Sequence, residues 1–296
     1  MQGEVDTDNQ IIKRLFGELI RDHVSSESWF WISENTPKQP DSKKLSSTFT
    51  MLPRKVGTQP IQILPSQQEL LQSFYNGYSV EGWTVDRLCR VYLLLNTHAY
   101  DKGAYFQSIE ALFSVAEMNE LIALYSALPL LTYPELWRKR CAEGIRSNIG
   151  SVLEAVMYHN PYPSNNLDQD AWNQMILKAF FTDKNVDLII GLDDRANKEL
   201  AYILSDYAHE RWAANRPVNP QLWRLTGKFI DQKLIQDIKK LFTSEIETDR
   251  KAAALAVYQS EYEPAKELLV SYPELYEIVK NKSLTWQNLS LPEKTD

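Results

Sequence analysis

Residues 104–128, AYFQSIEALFSVAEMNELIALYSAL, decide the fold class of this chain. Apolar residues recur every three or four positions in the first half, Ala104–Val115, and again in the second, Glu117–Leu128. This spacing places them along one face of an α-helix. Because almost nothing separates the two halves, the sequence predicts two antiparallel helices packed as a hairpin.

Helical patterning continues on both sides of this hairpin. It predicts helices at 11–20, 25–35, 67–75, 85–95, 134–158, 168–180 and 198–214, with N-caps at Thr84, Asp168 and Asn197. Shorter helices follow in the tail, where Asp249–Ala256 has the small-residue face of a HEAT-type repeat. The sequence therefore predicts an all-α fold of stacked helical hairpins, α-solenoid-like, with HEAT-type character at the C-terminus. An irregular helical bundle is the alternative.

Residues 36–65 interrupt the helical pattern. Pro37, Pro40, Pro53 and Pro60 precede Pro65. Because proline lacks an N–H donor and fixes φ, this composition predicts irregular structure with short extended pieces at residues 48–52 and 61–64. We therefore expect three parts. They are N-terminal helices with this Pro-rich segment (1–65), a main helical domain (66–230) and HEAT-like helices packed on it (231–296).

The composition excludes several classes of protein. Of the 296 residues, 44% are hydrophobic and 24% charged, which rules out disorder over the whole chain. The net charge is −7, and no stretch clusters Lys and Arg densely on one face, so we expect no nucleic-acid partner. No apolar run reaches the roughly 18 residues of a transmembrane segment, and the acidic N-terminus does not resemble a signal peptide. We expect a cytoplasmic protein whose two cysteines are buried thiols.

Polar side chains lie within or beside the apolar helices between Arg138 and Arg224. Apolar residues would serve stability better at such positions, so we predict that these side chains converge in one candidate ligand-binding centre. Its members are Arg146, Asn148, His159, Asn160, Tyr162, Asn173, Lys178, Asp206, His209, Glu210 and Arg211. Structural alternatives exist, since Arg146 can pair with Glu143 and His159 can cap the end of its helix.

The sharpest cluster lies on the predicted helix 198–214. Asp206, His209 and Glu210 are three or four residues apart and can face the same way. A carboxylate beside an imidazole can form a general base or contribute metal ligands. The three residues after Glu210 do not complete the zinc motif HExxH. We therefore expect a hydrogen bond between Asp206 and His209, no metal and no cofactor.

Several sequence strings resemble the EboA family. They are LPLLTYPE (128–135), AEGIRSN (142–148), HNPYP (159–163), AWNQMILKA (171–179), DYAHERWAA (206–214) and LTW (284–286). The resemblance spans most of the chain from about residue 80, and the HNPYP and DYAHERW strings are specific. The region before residue 65 is similar only loosely, mainly at PRKVG (53–57).

The resemblance implies a role in metabolite traffic. The family is encoded in bacterial secondary-metabolite clusters, beside a UbiA-like prenyltransferase and several enzyme-like proteins, and it supplies no catalytic residues. We expect a non-catalytic binding or adaptor protein that assists delivery of a secondary-metabolite precursor to the membrane or periplasm. Its expected partners are a small aromatic or isoprenoid-like metabolite or proteins of the same gene cluster, including the UbiA-like membrane prenyltransferase. The alternative is a metabolite-modifying enzyme in which Asp206 and His209 perform acid–base chemistry.

Overall fold

The computed structural model describes residues 2–37 and 41–289. Within these ranges the chain is helical and has no strand, and β-type pairing is confined to two isolated bridges, Pro60–Thr84 and Tyr158–Ile189. The all-α prediction is confirmed, while the solenoid-like stacking of hairpins stays a prediction. None of the described helices is both long and apolar enough to cross a membrane.

The chain groups into two compact units. The first unit comprises the chain up to Trp172 together with Leu188–Ile190, and the second comprises Asn173–Asp187 and the chain from Gly191 onward. The three-part division, with boundaries after residues 65 and 230, stays a prediction because compactness does not decide which piece folds alone. Pro40 of the Pro-rich segment and residues 290–296 of the third part lie outside the described residues.

The sixteen α-helices of the described residues follow one another along the chain. In chain order they are α1 (Gln2–His23), α2 (Ser26–Asn35), α3 (Ser42–Val56), α4 (Pro65–Phe74), α5 (Val85–Asn96), α6 (Lys102–Val115), α7 (Met118–Ala127), α8 (Arg138–Ile145), α9 (Gly150–Met157), α10 (Tyr162–Asn166), α11 (Gln169–Phe181), α12 (Lys198–Ala213), α13 (Ile235–Phe242), α14 (Glu247–Tyr258), α15 (Glu263–Val270) and α16 (Pro273–Lys280). Helices α6 and α7 occupy the residues of the predicted hairpin, 104–128, but α6 packs mainly on α3 and α7 on α5 and α9, so the two do not pack against each other along their length as expected.

Helix α5 lies at the centre of the first unit. It begins after Thr84, which occupies the predicted N-cap position although its side chain makes no capping hydrogen bond, and most of its residues are buried against α1, α3 and α7. Two of the buried residues are the charged pair Asp86 and Arg90, which form an ion pair one helical turn apart. Because an unpaired charge would be costly here, each residue depends on the other.

The Pro-rich segment is only partly irregular: residues 42–56 form helix α3, so the prediction of an extended piece at residues 48–52 was wrong, while residues 57–64 form neither helix nor strand. Asp41 caps it by accepting hydrogen bonds from the N–H groups of Lys43 and Lys44, at 3.1 and 3.0 Å. Pro53 lies inside the last turn, where it deprives the Phe49 carbonyl of its usual helical donor. The buried Arg90 Nε donates to that carbonyl at 3.2 Å. Arg90 of α5 therefore compensates for the proline. The two residues are far apart in the sequence, so the local sequence pattern could not predict this contact.

The long helix predicted for residues 134–158 is divided. A 3₁₀ turn at Pro134–Trp137 precedes α8, and α8 and α9 are separated by residues 146–149. The Ser147 hydroxyl accepts a hydrogen bond from the N–H of Ile149 at 3.1 Å, which competes with continued helix. Gly144 is required in α8, because a Cβ atom there would lie 2.6 Å from the Tyr125 ring.

In the second unit, α14 packs against α13, α15, α16 and the 3₁₀ turns at residues 220–225 and 227–229. Its alanines, including Ala252 and Ala256, are fully buried. Their small side chains allow close approach: a Cβ atom on Gly227 would lie 2.6 Å from the Ala256 carbonyl oxygen. This packing places α13 beside α12 and thereby builds the site described next.

Candidate functional site

The eleven predicted site residues are distributed over both units. Arg146, Asn148, His159, Asn160 and Tyr162 belong to the first unit, and the others, from Asn173 to Arg211, belong to the second. Their convergence in a single centre therefore stays a prediction. Within each unit, the contacts show what the individual side chains do.

Asn160 and Tyr162 stabilise the first unit from within. The buried Asn160 amide donates to the carbonyls of Tyr125 and Ala155, at 3.1 and 2.9 Å, and accepts from the N–H of Tyr162 at 3.0 Å. The Tyr162 hydroxyl donates to the Pro134 carbonyl at 2.5 Å, and burial raises the pKa of this tyrosine. These hydrogen bonds fix the HNPYP turn, so the two side chains serve the fold.

Arg146 and His159 lie at the surface of the first unit. Arg146 is exposed at the C-cap of α8, and Glu143, its expected partner, instead forms an ion pair of 2.7 Å with Arg140. His159 has a φ of 49° and donates its backbone N–H to the Leu188 carbonyl at 2.9 Å. Asn148 is also exposed. Exposed side chains of this kind can contact a ligand only at the protein surface.

Asn173 supports the start of α12 in the second unit. Its side-chain oxygen accepts a hydrogen bond of 2.8 Å from the Asn197 amide, and Asn197 caps α12 by accepting from the N–H of Leu200 at 3.0 Å. Asn173 is 1% exposed, so its amide has a structural role here. Lys178, on the same helix as Asn173, is half-buried.

The loop before α12 is held by Arg224. Its guanidinium forms two hydrogen bonds with the Asp193 carboxylate, at 2.7 and 2.5 Å, and a third with Asp187 at 2.6 Å. Burial alone would lower the pKa of Arg224, but the two carboxylates outweigh that effect and raise it. This fork geometry fixes the loop that leads into Asn197.

A histidine–aspartate pair joins α12 to α13. The Nε2 atom of His209 lies 2.6 Å from Asp237 Oδ1, and the buried Ser205 hydroxyl donates to Asp237 Oδ2 at 2.6 Å. The partner of His209 is therefore Asp237 and not the expected Asp206, which is exposed and lies 3.6 Å from the Lys233 ammonium. The Asp237 side chain is 8% exposed and that of His209 is 49% exposed. The carboxylate thus orients an imidazole whose ring reaches the solvent.

Trp212 packs beside this imidazole and is itself contacted by Trp223 and Lys240. The Trp212 ring centroid lies 5.7 Å from that of His209 and 5.7 Å from that of Trp223, which is stacked at an interplanar angle of 17°. The Lys240 ammonium lies 3.8 Å from the Trp212 ring centroid, a cation–π contact. These residues, together with Ser205 and Asp237, are called the His209 surface below.

The hydrogen bonds of the His209 surface define its chemistry. Ser205 is completely buried and donates to the aspartate, so it is not placed as a nucleophile that His209 could activate. Asp237 engages Nε2, and Nδ1 makes no hydrogen bond to any described residue, so Nδ1 is the ring nitrogen left for a ligand. The surface can therefore hydrogen-bond a hydroxyl group, which both donates and accepts, beside an indole and an ammonium.

Glu210 and Arg211 lie beside this surface without taking part in it. Glu210 is exposed, and Arg211 Nε donates to the Pro217 carbonyl at 2.9 Å, which stabilises the turn after α12. Among the described residues, no group of three or more His, Cys, Asp or Glu side chains is placed to hold a metal ion.

Sequence reasoning missed Asp237, Trp223 and Lys240. One signal for Asp237 was present, because it lies on the apolar face of α13 with Leu234 and Leu241, where an unpaired carboxylate would be costly. Its partner on α12 lies 28 positions away, beyond the reach of spacing arguments.

Comparison with known proteins identifies the family of this all-α chain. The family model for EboA, described as metabolite traffic protein EboA, matches residues 12–227. The chain therefore belongs to the EboA family. No curated protein and no solved structure is similar enough to count as a match. The family match includes Ser205, His209 and Trp212 and ends before Asp237.

Proposed function

We propose that this chain is a non-catalytic binding or adaptor protein of metabolite traffic. It acts in the cytoplasm and assists delivery of a secondary-metabolite precursor to the membrane or periplasm. Its partners are a small metabolite or proteins of the same gene cluster, including a UbiA-like membrane prenyltransferase. Membership of the EboA family supports the traffic role, and the His209 surface supports binding.

The observation that carries the proposal is the fixed orientation of the His209 ring. Ser205 and Asp237 hold the imidazole in place before any ligand arrives, with Nδ1 left for a ligand and an indole beside it. Preorganised groups bind more tightly because less side-chain entropy is lost on association. A metabolite that combines an aromatic or isoprenoid-like body with a hydroxyl group fits this surface.

The exposure of the ring favours recognition over catalysis. His209 is 49% exposed, and proton transfer gains most where water is excluded around the reacting groups. The enzyme alternative nevertheless has a specific observation in its favour, since a carboxylate-oriented histidine is the usual form of a general base. In the enzyme alternative, Asp206 was expected to orient His209. The carboxylate that contacts His209 is that of Asp237, so Asp237 would take this role.

Native mass spectrometry of protein purified from its own host tests the proposal. We expect wild-type protein to retain a small molecule, and His209→Ala to retain about tenfold less, the effect of one lost hydrogen bond with its packing. His98→Ala is the matched control, because His98 is also exposed and also stacks on an aromatic ring, Tyr100. Equal retention by the two variants would contradict the assignment to His209.

A second measurement separates binding from catalysis. The retained compound, once isolated, is incubated with fresh protein, and we expect its mass to stay unchanged. A change of mass that His209→Ala abolishes would establish the enzyme alternative. Elemental analysis of the same preparations is expected to find no stoichiometric zinc, iron or manganese; metal present in the wild type and lost in His209→Ala would also favour the enzyme.

A further inference from the structure

Helix α3 presents a basic face. The stretch from Asp41 to Lys55 contains four cations and one acid, in a chain whose net charge is −7. Lys43 and Arg54 are exposed on the side of α3 opposite its buried stripe, three helical turns apart, which is about 16 Å. Lys44 and Lys55 lie on one flank of that face. The basic face was missed in the sequence because residues 36–65 were expected to be irregular.

These four cations have no carboxylate partner among the described residues. The Lys44 ammonium donates to the Glu34 carbonyl at 3.1 Å, and the Lys55 ammonium lies 5.7 Å from the Trp31 ring centroid. The nearby acid Glu120 is buried and accepts a hydrogen bond from the Thr50 hydroxyl at 2.9 Å. The positive charge of the face is therefore available to an external anion.

Apolar side chains border the same face. An open hollow of about 610 Å³ lies between α3 and α6, lined by hydroxyl groups of α3 and by Met51, Ala111 and Val115. Met51 is 41% exposed and Val115 is 67% exposed. Exposed apolar groups beside unpaired cations are the combination that binds the interface of an anionic bilayer.

We propose that the exposed face of α3, with Met51 and Val115 at its edge, docks on the surface of a bilayer containing anionic lipid. The cations attract the headgroups, and the two apolar side chains enter the interface. A nucleic acid would also bind the cations, but it has no apolar surface to contact Met51 and Val115. A lipid bilayer can contact both the cations and these apolar side chains, so we favour it as the partner. The proposal rests on the delivery step of the proposed function, and it supplies the contact by which delivery to a membrane begins.

The test is co-flotation of the full chain with vesicles of phosphatidylcholine, with and without phosphatidylglycerol. We expect binding only to the anionic vesicles, weakened about fivefold for each cation removed in Lys43→Gln/Arg54→Gln. Arg138→Gln/Lys139→Gln is the matched control, since it removes one exposed arginine and one exposed lysine from α8 of the same unit. Val115→Ser is expected to reduce binding severalfold. Val270→Ser, at a valine that is 68% exposed, is its control and is expected to leave binding unchanged.

Circular dichroism confirms that each variant is folded before binding is compared. Absence of wild-type binding, equal binding to neutral vesicles, or equal loss in a variant and its control overturns the proposal. Binding of duplex DNA is measured with the same proteins. If Lys43→Gln/Arg54→Gln weakens DNA binding but not vesicle binding, the proposal is also overturned. Ligand retention is read separately by native mass spectrometry, and we expect Lys43→Gln/Arg54→Gln to retain the metabolite. Failure of vesicle binding with normal retention overturns the docking surface alone.

Discussion

Asp237 makes hydrogen bonds with two partners, Ser205 and His209, whereas Asp206 makes one weak contact at the surface, with Lys233. Replacing Asp237 with alanine leaves the buried Ser205 hydroxyl without its acceptor and releases His209. We expect a loss of about 1–3 kcal/mol in the free energy of unfolding, measured by urea denaturation. Asp206→Ala is the control and should change it by less than about 0.5 kcal/mol, because the side chain is exposed. Equal losses would mean that Asp237 is not the structural partner of the imidazole.

The Tyr202–Asp231 hydrogen bond gives the second unit a dependence on pH. Burial acts to raise the pKa of Asp231, but the Tyr202 hydroxyl, two backbone N–H groups and Lys198 lower it below its ordinary value. A carboxyl with a lowered pKa in the folded state adds stability above its unfolded pKa of about 4, and that stability is lost as the pH falls through the folded value.

Tyr202→Phe should therefore reduce stability at neutral pH, and the difference from wild type should shrink below about pH 4. Urea midpoints measured across this range check the expectation. Tyr258→Phe, at a tyrosine that is 50% exposed, serves as control and should show no such trend. A difference that grows on acidification would contradict the assigned direction of the Asp231 pKa.

At the residue level, the sequence could identify polar side chains but not their partners. His209 and Asn173 were recognised as unusual, yet their partners, Asp237 and Asn197, lie on other segments of the chain. Spacing relates only residues on one helix, so it suggested Asp206 for His209. The structure shows that the buried polar side chains, such as Asn160 and Asn173, stabilise the fold through hydrogen bonds within the protein.

Helix boundaries followed the sequence where a capping side chain marked them. Asp168 and Asn197 accept the backbone hydrogen bonds expected of them, from the N–H groups of Ala171 and Leu200. The prediction was wrong for α3, because Pro53 signals a break that Arg90 of α5 repairs. It was also wrong at residues 146–149, where local capping divides a continuous apolar pattern.

The repair of α3 by α5 can be measured as a coupling between Arg90 and Pro53. Arg90→Met removes the donor to the Phe49 carbonyl and leaves Asp86 buried without its cation, so we expect a cost of about 3–5 kcal/mol. Pro53→Ala restores a helical N–H to that carbonyl. In this background the cost of Arg90→Met should fall by about 1 kcal/mol, read from urea denaturation of all four proteins.

Pro65→Ala is the control background for this cycle. Pro65 is the first residue of α4, where no helical donor is expected, so its replacement should leave the cost of Arg90→Met unchanged. Additivity with both prolines would show that Arg90 does not compensate for Pro53.

At the level of the whole molecule, composition indicated a globular protein. The apolar periodicity indicated that it is all-helical, because the same spacing recurs in many segments of the chain. The grouping of those helices into units depends on contacts between distant segments, which periodicity does not contain. Helix α14 shows this, since its alanine face packs against the two 3₁₀ turns that carry Trp223 and Gly227, upstream of the boundary expected after residue 230.

The last prediction concerns which part of the chain folds alone. A fragment of residues 173–296 keeps α14 together with the 3₁₀ turns of residues 220–229, and it keeps Asp237 with Ser205 and His209. We expect it to be helical by circular dichroism and to unfold cooperatively in urea. A fragment of residues 231–296 exposes the alanine face of α14 and should be largely unfolded, because small stacked helices need their neighbours to bury a core. Cooperative folding of the shorter fragment would instead support a separate C-terminal part beginning at residue 231.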